Sequence, residues 1–251
     1  MSQPLLAAGS MGGLMFAVEH ANFAGKVILV ILFIASILSW SIFLTKAMLV
    51  NRARRQTEQF LRRFRAERKP LKMYEDRYSL EGCPISVVYE AGCRELTYFL
   101  LGSDERDETF KSRLATAERI TPTEMNAVRV AMERAVGEQE LMMESQMIIL
   151  ATAVSGGPFI GLLGTVWGVM DAFTGVALAG SATLSALAPG VAGALATTAL
   201  ALAVAIPAMF AYNYLVTSIR ALTLGMDIFS AELAASMERH YVDHTSDRTV
   251  R

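Results

Sequence analysis

Hydrophobic positions in this chain come in long unbroken blocks, separated by a polar stretch with helical periodicity. Residues 27–45 form a run of 19 without Asp, Glu, Lys, Arg or His, close to the roughly 20 apolar residues that a membrane-crossing helix needs. Residues 145–170 add a second uncharged run of 26, Asp171 interrupts it, and 172–219 supply a further 48. Forty-eight residues exceed one crossing, and Gly175, Gly180, Ser181 and Ser185 gather ahead of Pro189 and Gly190, which marks a tight reversal. The pattern therefore predicts an all-α integral membrane protein with three spans. Its segments are an outer N-terminal stretch 1–25, a first span 26–48, a polar helical region 49–141, a second span 142–176, a turn 177–187, a third span 188–216 and a C-terminal helix and tail 217–251.

The polar region reads as helices throughout. Residues 52–68 continue the first span as a basic helix carrying Phe60, Leu61 and Phe64 on one side, and Ile85, Val88, Gly92, Leu96 and Phe99 follow at spacings of three and four, the period of an amphipathic helix. Pro84 suits a first-turn position. Thr121-Pro122-Thr123-Glu124 is a capping box with proline at the first helical position. No further proline occurs until Pro158, so a helix is expected to run from 121 into the second span without a break. Met125, Val128, Met132, Val136 and Leu141 give it an apolar seam for packing against neighbouring helices.

Composition narrows the class. Hydrophobic residues make up 53% and charged residues 19%, shifted from the roughly 25% charge of soluble domains. A net charge of −1 argues against a nucleic-acid binder. A cleaved signal peptide is disfavoured: no basic region precedes 27–45, and Lys46 and arginines follow it in place of a small-residue cleavage site. Nine basic and two acidic residues lie in 46–69, against one formal charge, Glu19, in 1–25. The positive-inside rule then places the polar region and C-terminus in the cytoplasm and the N-terminus and the 177–187 turn outside.

Reactive groups are scarce. Cys83 and Cys93 have no Cys or His partner at metal spacing and read as small packing residues. His240 and His244 stand four apart without the acidic residue of a zinc motif and read as solvated. The glycines at 161–168 lack the Gly-Lys-Ser/Thr of a phosphate loop, and no nucleophile has a neighbouring base. No metal, cofactor or enzymatic activity is expected.

Within the spans, Gly161, Gly164 and Gly168 fall at helix-contact spacing, and alanines at 192, 194, 196, 199, 201, 203, 205, 208 and 211 cover nearly every face of the third helix. Small residues allow close backbone approach in lipid, and alanine all round suits a helix enclosed by protein or facing a narrow lumen in an oligomer. Simple packing of the second span on the third needs one such face only. Polar residues in spans mark function: Thr165 in the second span and Thr197 and Thr198 in the third are candidates for a hydrophilic lining, although a threonine also bonds back to its own helix. A rise of about 38 Å from Gln146 to Asp171 exceeds the ~30 Å hydrocarbon core. Asp171 is thus expected at the outer interface, where both rim placement and ion handling are open.

The runs Gly161-Leu-Leu-Gly-Thr165-Val-Trp-Gly-Val-Met170, Leu187-Ala-Pro-Gly190-Val-Ala-Gly-Ala-Leu-Ala-Thr-Thr198-Ala and Ile206-Pro-Ala-Met-Phe-Ala-Tyr-Asn213 resemble the TolQ/ExbB/MotA family of ion-motive-force transducers, in all three spans and in order. The pattern is most similar to the TolQ branch, through Ser36-Ile-Leu-Ser-Trp40-Ser, Ala182-Thr-Leu184 and Ala211-Tyr-Asn213. ExbB shares most of it, and the four-span MotA less. The resemblance implies a homopentamer whose second and third spans line a pore around a TolR- or ExbD-type single-span partner. It also implies that Thr165 and Thr198 lie beside a proton-carrying partner aspartate, and that a TolA- or TonB-like protein receives the work. Pro189, Gly190 and Pro207 belong to the matching motifs. Gly193 departs from the pattern, standing where TolQ and ExbB carry glutamate. Asp171 is then expected to act as an outer funnel for cations. A scaffold that holds the partner and conducts nothing is the reading from another class.

Overall fold

A computed structural model describes residues 22–103, 109–179 and 183–243 together with Val18, without the side chains of Ser185 and Ala186. Gly180, Ser181, His244 and most of the 1–25 segment lie outside the described residues. Those described form seven helices: α1 (Phe23–Ala66), α2 (Lys72–Glu75), α3 (Pro84–Leu101), α4 (Phe110–Thr116), α5 (Pro122–Glu144), α6 (Met147–Ala179) and α7 (Leu184–Tyr241). Three of these, α1, α6 and α7, are long and apolar enough to cross a membrane. The chain divides into two compact units: an apolar one made of residues up to Thr45 and Gln146–Tyr214, and a polar one made of Lys46–Ser145 and the residues from Leu215 onward.

In the apolar unit, α6 runs to Ala179 and α7 begins at Leu184. Residue size explains how closely the two helices meet. Gly161 is so near α7 that a Cβ there would lie 2.5 Å from Ala201 Cβ and 3.0 Å from Thr198 Cα. Gly164 stands against Thr197, Gly168 against Ala194, and Gly190 against Ala172 in the reverse sense. Ile28 and Leu32 of α1 pack on Ala201, joined by Ile160. Of the α7 alanines, 194, 196, 201, 205 and 208 are buried here, whereas 199 and 203 remain exposed.

The polar unit is a helical cluster with an ordinary core. Ile85, Val88 and Leu96 of α3, Met125, Val128 and Met132 of α5, and Phe229, Leu233 and Met237 of α7 are buried. Phe60 and Phe64 of α1 meet Tyr89 and Phe229 edge to face, the geometry aromatic rings favour. The capping box forms as the sequence predicts: the Thr121 hydroxyl accepts from the Glu124 N–H, and the Glu124 carboxylate accepts from the Thr121 N–H at 2.7 Å. Cys83 and Cys93 are buried and are not joined in a disulfide. Burial pushes the Cys83 thiol up, so it stays protonated and unreactive. His240 is exposed and makes a hydrogen-bond contact with the Ser236 carbonyl.

Two expectations are corrected. Leu141 is not part of the packed seam; it is 71% exposed, and Met143 is buried instead. Nor is the helix continuous from 121 into the second span. It ends at Glu144, Ser145 takes an extended ψ of 140°, and Gln146 has φ +66°, where non-glycine residues seldom go. The break is held by a cation. Lys46 Nζ donates to the Met142 carbonyl (3.3 Å), the Met143 carbonyl (3.1 Å) and Ser145 Oγ (2.9 Å). A helix end leaves its last carbonyls unpaired, and an ammonium at a C-terminus is favoured by the helix dipole. Lys46 is 4% exposed, so Lys46→Met strands those acceptors and costs about 2 kcal/mol. Thermal unfolding of the purified protein checks this, and an unchanged midpoint would show that water caps the helix equally well.

Candidate functional site

The close approach of α6 and α7 brings three hydroxyls to one place. Thr165 Oγ1 and Thr198 Oγ1, from opposite helices, are hydrogen-bonded to each other. Thr198 Oγ1 also donates to the Gly161 carbonyl at 2.8 Å. Thr165 Oγ1 has the Gly161 and Ala194 carbonyls at 3.2 and 3.3 Å as further acceptors. Thr197, fully buried, donates to the Ala194 carbonyl at 2.7 Å. A hydroxyl has one proton and two lone pairs, so Thr165 cannot satisfy all its acceptors at once and the protons can be shared out in more than one way. Such a cluster can solvate a passing cation or relay a proton. It cannot itself hold the charge, because an alcohol is too weak a base to keep an extra proton and too weak an acid to give a fixed counter-charge.

A carboxylate lies further along α6. Asp171 accepts from Asn22 Nδ2 at 3.1 Å, and Asn22 Oδ1 in turn accepts from the Gly25 N–H at 2.7 Å, the N-cap interaction that opens α1. Asp171, Asn22, Thr197 and Gly193 all line one cavity of about 310 Å³. The structure thus brings Thr165 and Thr198 into contact, sets Thr197 on the Ala194 carbonyl that Thr165 also approaches, and places Asp171 and Gly193 on a common cavity. Pro189 sits near the start of α7 and Pro207 inside it, where it removes one ladder hydrogen bond. Among the described residues, no group of three or more His, Cys, Asp or Glu gathers in a way that could hold a metal. Asn22 is the polar group that sequence reasoning missed; an asparagine immediately ahead of an uncharged helical run is an N-cap signal.

Three helices long and apolar enough to cross a membrane make this a multi-pass membrane protein, and residues 102–228 match the MotA/TolQ/ExbB proton channel family. The chain belongs to that family, which is one of channels rather than of catalysts. It is 31% identical to the Tol-Pal system protein TolQ of Pseudomonas aeruginosa, over 92% of this chain and 94% of that one. The TolQ of Haemophilus influenzae is 32% identical over 87% of this chain and 91% of its own. The biopolymer transport protein ExbB of Pseudomonas putida is 31% identical over 92% of this chain and 65% of its own.

Proposed function

We propose that the protein is a TolQ-like subunit of a bacterial inner-membrane motor, a homopentamer around a TolR- or ExbD-type single-span partner that couples proton flow to mechanical work on the cell envelope. The observation that carries this is the Thr165–Thr198 contact, a hydroxyl pair at the closest approach of two helices, inside a chain of the proton channel family. The exposed Ala199 and Ala203 on α7 offer a small-residue face to a neighbouring copy or to the partner helix. The basic residues after Lys46 orient the polar unit and C-terminus to the cytoplasm and the N-terminus to the periplasm. One charge crossing releases about 2.3 kcal/mol per 100 mV, so useful work takes repeated steps, which a ring around a smaller partner supplies. The partner aspartate carries the proton, and Asp171 supports it from the outer side in the absence of a carboxylate at Gly193.

The ExbB likeness over most of the chain supports a second reading, in which the motor energises TonB-dependent uptake. The test is ion flux in liposomes holding the protein co-purified with its single-span partner, under a pH gradient and then a sodium gradient. Proton-driven flux that Asp171→Asn weakens without abolishing is the expected result. No flux under either gradient, with the complex intact, would overturn the motor in favour of a scaffold.

A further inference from the structure

The 310 Å³ cavity of the apolar unit has a lining unlike the faces around it. Glycines at 25, 164, 168, 175, 190 and 193 give it walls without side chains, and three polar residues project from the rest: Asn22, Asp171 and Thr197. Asp171 is the one lining residue that ionises. Its carboxylate offers about four acceptor sites, and one of them is taken by the Asn22 amide. That amide is aimed by its own N-cap bond to Gly25, so the start of α1 fixes where the carboxylate sits. The volume has room for several waters. Thr197 and Gly164 also line the cavity and are the chain neighbours of Thr198 and Thr165. From Asp171 to Gly164 the helix descends about 10 Å. The cavity therefore reaches from the exposed carboxylate to the edge of the hydroxyl pair.

We propose that this cavity is a water-filled vestibule that gathers monovalent cations, hydronium among them, on Asp171, with Asn22 as the positioning residue. It rests on the channel reading only for the use made of those cations; cation binding stands separately. A charge at the mouth of a low-dielectric cleft raises the local concentration of counter-ions by 10- to 1,000-fold, and it repels anions correspondingly.

The test uses Gly175→Cys in the complex with its partner. Gly175 lines the cavity one turn past Asp171, and a Cβ there meets nothing within 4 Å. The buried Cys83 and Cys93 give a low background, measured on the unmutated chain. The thiol is labelled from the outer face with membrane-impermeant methanethiosulfonates, one carrying trimethylammonium and one sulfonate, each rate divided by that for a free thiol. The expected result is a cation preference of about tenfold or more that falls close to one when Asp171→Asn is added and falls part of the way with Asn22→Ala. A cation preference unchanged by Asp171→Asn, or no labelling by either reagent, overturns the vestibule. Should Gly175→Cys fail to assemble, Val176→Cys, also on the lining, carries the same measurement. Cation-selective labelling in a complex that passes no protons would sink the channel reading and leave the vestibule; proton flux with indifferent labelling would do the reverse.

Discussion

Thr165→Val and Thr198→Val each abolish proton flux while the protein still assembles with its partner. Valine keeps the shape of threonine and loses the hydroxyl, so the α6–α7 contact survives and the bond between the two side chains does not. Losing a positioned proton-transfer group typically lowers rate by 10²–10⁴, and flux should fall by at least about a hundredfold. Thr165→Ser restores the hydroxyl and most of the flux, which separates the relay from mere packing. The measurement is acidification of liposome interiors under an imposed potential, beside a size-exclusion profile of the complex. Flux at the unmutated level in either valine variant would show that the cations travel elsewhere.

Gly161→Ala is the second change with a large expected effect, on stability as well as flux. The new methyl would lie 2.5 Å from Ala201 Cβ and 3.0 Å from the Thr198 backbone, and backbone cannot swing aside as a flexible side chain does. The two helices must part locally. Overpacking of this kind costs about 1–3 kcal/mol, and the parting also separates Thr165 from Thr198, so a single methyl disturbs both fold and site. Gly175→Ala on the same helix is the control: nothing lies within 4 Å of the added carbon, and alanine is the better helix former by about 1 kcal/mol. Thermal unfolding in detergent should lower the midpoint for the first and hold or raise it for the second. Equal midpoints would mean that the helices sit further apart than the glycines indicate.

Much of this was legible in the chain because the causes are local. An uncharged run long enough to span, a capping box at Thr121 and glycines three and four apart each state their structure within a few residues. What escaped notice depends on distant partners. The helix break at Gln146 carries no proline or glycine; its cause is Lys46, about a hundred positions earlier in the chain, and no periodicity in 121–175 could reveal it. Leu141 fits the helical spacing of the seam but falls in the last turn before that break and points outward. In the site, the three threonines and Asp171 stood out as polar groups among apolar ones. Asn22 did not, since its hydrogen bond to Asp171 joins positions that only the folding of α1 beside α6 brings together.

Lys46 also sets an order of events during synthesis. Its acceptors at Met142, Met143 and Ser145 leave the ribosome about a hundred residues after it does, on the order of ten seconds at common elongation speeds. Throughout that interval the ammonium has none of these acceptors and stays hydrated. The cap on the end of α5 is therefore a late event, formed only when the chain has grown about a hundred residues past the lysine that supplies it.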